Sequence, residues 1–192
     1  YISEDGEVYR YLANNANFES YIKIVKVDAE TGKTIPYAGA GFQLYRPDGS
    51  LITQSFTYPT PVTIDTFYTN DEGYLITPET LEYGSGYSLI EVFAPYGYTL
   101  NSEPVYFDVT QDTSSDEGGI TVIEVIKENT AQKGIIKISK TGEVFSSVTE
   151  SGGIYQPVYS VQGLAGAVYE ITAAEDIYTL DGTLRYAAGE VV

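Results

Sequence analysis

Residues 21–33 read YIKIVKVDAETGK. Side chains alternate across a strand, so Ile22, Ile24, Lys26 and Asp28 share one face, and Lys23, Val25 and Val27 share the other. The alternation is that of a half-buried strand, and Glu30-Thr31-Gly32-Lys33 after it is a turn signal. Lys23 suits a solvated face. Lys26 is aligned with two isoleucines, and the strand therefore sends an amine to its apolar side.

The same rhythm recurs along the chain. Short alternating runs lie near 21–28, 41–46, 62–69, 86–93, 104–109 and 120–127, separated by ETGK, PDGS, NDEGY, YGSG and TSSDEGG. Strands at this spacing between Gly/Asp/Asn turns predict an all-β sandwich. Residues 1–20 lack the rhythm and are expected to be a lead-in or linker. YIKIVKVDAETGK returns as GIIKISKTGEV at 134–144, where Lys140 joins Ile136 and Ile138 on one face. YAGAGFQLYRPDGS (37–50) is echoed by LAGAVYEITAAEDIYTLDGT (164–183), and FSSVTESGGIYQPVYSVQG stands between the echoes as an insert. Internal repetition at a domain-sized period predicts a tandem array. The expected division is one complete module at 21–133 and the first half of a second at 134–192.

Composition excludes much. The chain has 192 residues, 27 acids against 10 bases and a formal charge of −17. That charge argues against nucleic acid and against direct binding to anionic membrane, which attract Lys and Arg; it suits a solvated extracellular surface. Cysteine and histidine are absent, and with them disulfides, thiolate metal sites and Ser-His-Asp or Cys-His catalysis. No cofactor or metal site is expected. Methionine is also absent, so the start of the translation product is expected to have been removed or to lie upstream, and any address or anchor to lie outside this stretch.

Two further residues break the inside–outside rule. In YSLIEVFAPYGY (87–98), Glu91 shares a face with Tyr87, Leu89 and Phe93. In ITVIEVIKENTAQKG (120–134), Asn129 shares a face with Ile123 and Val125, although Lys127 interrupts the periodicity. Plain structural roles exist for each: a snorkelling lysine, a buried ion pair, a turn-capping Asn. A chemical role also exists if the first and last strands are neighbours. Burial disfavours charge, lowering a lysine pKa and raising a glutamate's by up to about 3–5 units. A neutral amine is a nucleophile and a protonated carboxyl is a general acid. With Glu91 polarising the amide oxygen and shuttling protons, Lys26 would displace ammonia from Asn129 and leave an isopeptide bond.

The ordered pieces IKIVKVD with ETGK, AGAGFQLY, YSLIEVFAPYGYTL and ENTAQKG cover about 21–134. Together they resemble the Cna B-type, SpaA-like modules of Gram-positive surface adhesins and pilins. The resemblance implies an immunoglobulin-like, transthyretin-like β-sandwich. It also implies an intramolecular bond, with Lys26 as the amine, Glu91 as the catalytic acid and Asn129 as the amide. It makes the chain a cell-wall-anchored surface stalk module rather than a turnover enzyme, with neighbouring repeat domains as its partners. Lys140 aligns with Lys26, but no matching Glu and Asn follow it by Val192, so it is expected to stay a free amine. Neither an LPxTG sorting signal nor a YPKN-like pilin lysine motif is present, which favours a stalk over a pilus backbone. An alternative is a carbohydrate- or host-protein-binding module using the tyrosines of FTYPTPVTIDTFYTN (56–70). Calcium at TQDTSSDEGG (110–119) fits less well, because the spacing is not that of an EF-hand.

Overall fold

A computed structural model describes residues 17–192. The proposed lead-in at 1–20 therefore lies largely outside the described residues; its last two residues, Glu19 and Ser20, already belong to the first strand. The described residues form two compact units, one ending at Gln132 and the other running Lys133–Val192.

The first unit is a β-sandwich. One sheet has the order β10-β11-β1-β6, made of Ser115–Glu117, Ile120–Asn129, Glu19–Asp28 and Tyr74–Ile76, with β7 (Leu81–Glu82) also on β1. The other has the order β5-β2-β8-β9, made of Phe67–Tyr68, Gly41–Tyr45, Gly84–Phe93 and Val105–Val109. A separate hairpin pairs β3 (Gln54–Phe56) with β4 (Val62–Ile64). The run expected as one strand over 62–69 is thus two, because Val62–Ile64 pairs with β3 whereas Phe67–Tyr68 pairs with β2.

The apolar face of each sheet is buried against the other. Ile22, Ile24, Leu75, Ile123 and Val125 from the first sheet join Phe42, Leu44, Phe67, Tyr87, Leu89 and Val109 from the second in one core. Burying each such side chain stabilises the fold by about 1.5–3 kcal/mol relative to leaving it exposed. Gly73 lets the turn before β6 close on β1. It has φ +82°, and a Cβ there would lie 2.0 Å from the Ile35 carbonyl oxygen; its own carbonyl accepts from the Lys26 amide.

First and last strands are direct neighbours. β1 and β11 run parallel, with Ile22 opposite Ile123, Ile24 opposite Val125, Lys26 opposite Lys127 and Asp28 opposite Asn129. Paired residues of adjacent strands point to the same face. The inner face of this pair is therefore apolar along most of its length and polar at one end.

In the second unit, β12 (Thr141–Ser151) and β13 (Ile154–Gly163) form a long antiparallel hairpin. It turns through Gly152 and Gly153, at φ +62° and +82°, the double positive φ that a two-residue hairpin turn demands. This hairpin contains the insert seen in the sequence. β14 (Ile177–Tyr178) and β15 (Leu184–Tyr186) form a smaller one. Residues 134–140, the echo of β1, are not a strand. A strand needs ladder partners, and among the described residues no strand pairs with this stretch, whose Lys140 carbonyl accepts from the Leu164 amide.

Candidate cross-linking site

Each of the three sequence-predicted residues comes from a strand whose alternation turns it inward. Lys26 lies near the end of β1, Glu91 near the end of β8, and Asn129 at the end of β11. All three are fully enclosed, at 0%, 0% and 1% exposure. The structure brings them together. Lys26 Nζ is 3.0 Å from Glu91 Oε1, and Asn129 Nδ2 donates to Glu91 Oε2 at 2.7 Å. The Phe42 ring lies beside the amine, 5.6 Å from Nζ to centroid.

Glu91 thus bridges amine and amide. In one respect the arrangement differs from the sequence expectation: the carboxylate holds the amide nitrogen, not its oxygen. Lys26 Nζ and Glu91 Oε1 meet as an ion pair at 3.0 Å with no further hydrogen-bond partner, and Asn129 Oδ1 is buried without one. Buried polar atoms are paired almost everywhere in folded proteins, and an unpaired one costs about 1–3 kcal/mol.

A strap of extended chain closes the site. Thr99, Asn101 and Glu103 are alternate residues, so their backbone groups point the same way. The Thr99 carbonyl accepts from Asn129 Nδ2 at 2.8 Å, the Asn101 amide donates to Glu91 Oε2 at 2.9 Å, and the Glu103 carbonyl accepts from Lys127 Nζ. These are main-chain groups, and no side-chain pattern signals them. Asp28 completes the floor. It accepts from Tyr98 Oη at 2.9 Å and from the amides of Glu30 and Thr31, so the tyrosine of APYGY locks the end of β1.

Burial pushes the Lys26 amine down to about 8, the neighbouring charge of Glu91 opposing the fall and the like charge of Lys127 adding to it. At neutral pH a usable fraction is the nucleophilic free base. The placement of Lys127 corrects the sequence reading, in which it interrupted the periodicity. It sits on the inner face two residues from both Val125 and Asn129, and is 2% exposed. Strict alternation was the signal that could have found it.

Lys140, the fourth residue singled out, is exposed and lies outside any strand. In the 56–70 stretch, Phe67 is in the core, Tyr58 projects into solvent and Tyr68 stacks on Phe93. Around 110–119 a short 3-10 turn (Gln111–Thr113) leads to β10 and a Gly118-Gly119 turn. Among the described residues, no group of acidic side chains is arranged to hold a metal ion.

The SpaA prealbumin-like fold domain matches residues 20–121, just over half of the chain. The chain belongs to this family. Its SpaA-type sandwich is similar to those of several solved structures. GBS52, the minor pilin of Streptococcus agalactiae, is 18% identical with a TM-score of 0.48, over 65% of this chain and 49% of that one. A variant of BcpA, the major pilin subunit of Bacillus cereus, is 22% identical with a TM-score of 0.43, over 65% and 31%. The major pilin SpaD of Corynebacterium diphtheriae is 21% identical with a TM-score of 0.45, over 60% and 33%. This SpaA-type chain spans from about a third to a half of the length of those pilins. No curated protein matches it.

Proposed function

We propose that this chain is a structural module of an extracellular, cell-wall-anchored Gram-positive surface protein, hardened by a self-formed isopeptide bond between Lys26 and Asn129. The observation that carries the reading is Glu91, a fully buried carboxylate that contacts the amine and the amide at once.

The chemistry follows from that contact. Neutral Lys26 Nζ attacks Asn129 Cγ. Glu91 takes a proton from the attacking nitrogen and delivers it to Nδ2, which it already holds. The Cγ–Nδ2 bond breaks and ammonia leaves. Amine and carboxamide become one secondary amide plus ammonia, so atoms balance without cofactor, metal or histidine. Glu91 ends as it began, and the reaction runs once per chain.

The bond would tie β1 to β11, the neighbouring first and last strands of the sandwich. Lys26 and Asn129 enclose 102 residues, and closing a loop of that size stabilises by about 4.7 kcal/mol in the chain-entropy model. Under tension, force would pass through the bond instead of shearing the β1–β11 ladder. A module of this kind serves as a spacer between neighbouring repeat domains in a stalk.

Intact mass of the purified chain tests the reading. The expected mass is short of the sequence mass by one ammonia, and Glu91→Ala restores the full mass. A wild-type chain at full mass, with Lys26 and Asn129 recovered on separate peptides, would overturn it.

A further inference from the structure

The polar end of the β1–β11 pair holds two lysines and one catalytic carboxylate. Lys26 and Lys127 are register partners on the same inward face, both essentially without solvent. Two ammonium groups on one buried face repel, and Glu91, Glu103 and Glu128 only partly offset the cost of burying them. Both amines are therefore pushed toward giving up a proton.

The surroundings decide which gives it up. Lys127 Nζ donates to the Glu103 carbonyl, the last contact of the strap. Lys26 Nζ instead faces Glu91 Oε1 at 3.0 Å. A backbone carbonyl accepts from an ammonium but cannot take its proton, whereas a carboxylate can, so Lys127 keeps the charge and Lys26 is the amine placed to lose it. The charged groups acting on Lys26 are Glu91 from β8, with Lys127 and Glu128 from β11; those acting on Lys127 are Glu91 and Glu103.

We propose that Lys127 is a positioning residue of the cross-linking site: its ammonium, fixed by the Glu103 carbonyl, holds the adjacent Lys26 amine in the uncharged form that attacks Asn129. The assignment rests on the isopeptide reading for its purpose. The electrostatic coupling of the two lysines does not, and it is measurable in a chain that cannot cross-link.

The experiment uses the full chain carrying Asn129→Ala, so that Lys26 stays free. The Lys26 side-chain carbon resonance is titrated by NMR, with and without Lys127→Met. Lys127→Met is expected to raise the Lys26 titration midpoint by about one pH unit, and Lys127→Arg to leave it low. An unmoved midpoint in a folded Lys127→Met chain would overturn the proposal. Should the methionine variant fail to fold, Lys127→Gln carries the same two outcomes, since it removes the charge and keeps a donor for Glu103. In chains that retain Asn129, the pH profile of ammonia loss, followed by intact mass, is expected to move upward with Lys127→Met by the same interval. Full mass in the wild type would defeat the isopeptide reading, whereas the Asn129→Ala titration still judges the coupling.

Discussion

Lys26 and Lys140 occupy the same sequence pattern, Ile-Lys-Ile-x-Lys, in two units with opposite outcomes. In the first unit the pattern is a central strand with β11 on one side and β6 and β7 on the other. Its lysine is enclosed, stripped of water and set against a carboxylate. In the second unit the same pattern has no ladder partner among the described residues, and Ile135, Ile136 and Ile138 are exposed at 97%, 69% and 48%. Lys140 stays on the surface with them. The difference therefore belongs to the partner strands rather than to the motif: burial beside a bridging acid is what sets Lys26 apart as the proposed nucleophile.

The largest effect that would break this comparison comes from Lys26→Met. It removes the proposed bond and leaves Glu91 buried without its cation. It loses the loop constraint of about 4.7 kcal/mol, as any chain without the cross-link does, and relative to such a chain that keeps the Lys26–Glu91 pair it loses a further ~3–5 kcal/mol for removing one partner of a buried pair. Denaturant unfolding of the first unit is expected to show a loss larger than either alone, if it folds at all. Asn129→Ala should rank next. It removes the cross-link but keeps the Lys26–Glu91 pair, so the loss should approach about 4.7 kcal/mol, with a matching rise in protease sensitivity.

In Asn129→Ala, pH sharpens the contrast further. Lys26 titrates at about 8 in the fold against 10.5 when unfolded. Below pH 8 both states hold the proton, and the penalty for burying it is complete. Above 8 the folded amine is already neutral while the unfolded one still binds its proton, so stability rises with pH. The rise is expected to be about 3 kcal/mol across the whole interval, most of it gained by pH 10, below the range to which burial raises Tyr87. A flat profile from pH 8 to 10 would contradict a depressed Lys26.

Gly73→Ala probes the frame rather than the chemistry. Positive φ strains any other residue by about 1–3 kcal/mol, and here a Cβ also meets the Ile35 carbonyl; thermal unfolding should register at least that loss. The smallest effect is expected at Lys140→Ala. Exposed substitutions of this kind stay within about 0.5 kcal/mol, and the mass deficit should be unaltered. A large change there would mean that the two lysines are more alike than their surroundings.

Much of this was legible without coordinates. Period-2 alternation placed Lys26, Glu91 and Asn129 on inner faces, because a strand allows its side chains only two directions. The turn residues marked the strand limits, although β3, β6, β7 and β10, two or three residues each, were too short to show a period. Lys127 was legible by the same alternation, and only its charge disguised it. The failed strand at 134–140 was not legible, since a ladder partner is a property of distant sequence.

The sequence by itself determined the all-β class, the family resemblance and which side chains would face inward. Those follow from local periodicity and turn chemistry, which act over a few residues. Only the tertiary structure decided that β1 and β11 run side by side, that Glu91 meets the amide through its nitrogen, and that the backbone of Thr99, Asn101 and Glu103 closes the site. These depend on register and on main-chain groups from segments that lie 101 positions apart along the chain in the β1–β11 pairing. Every residue carries the same main-chain amide and carbonyl apart from proline, so no residue type announces where they will be used.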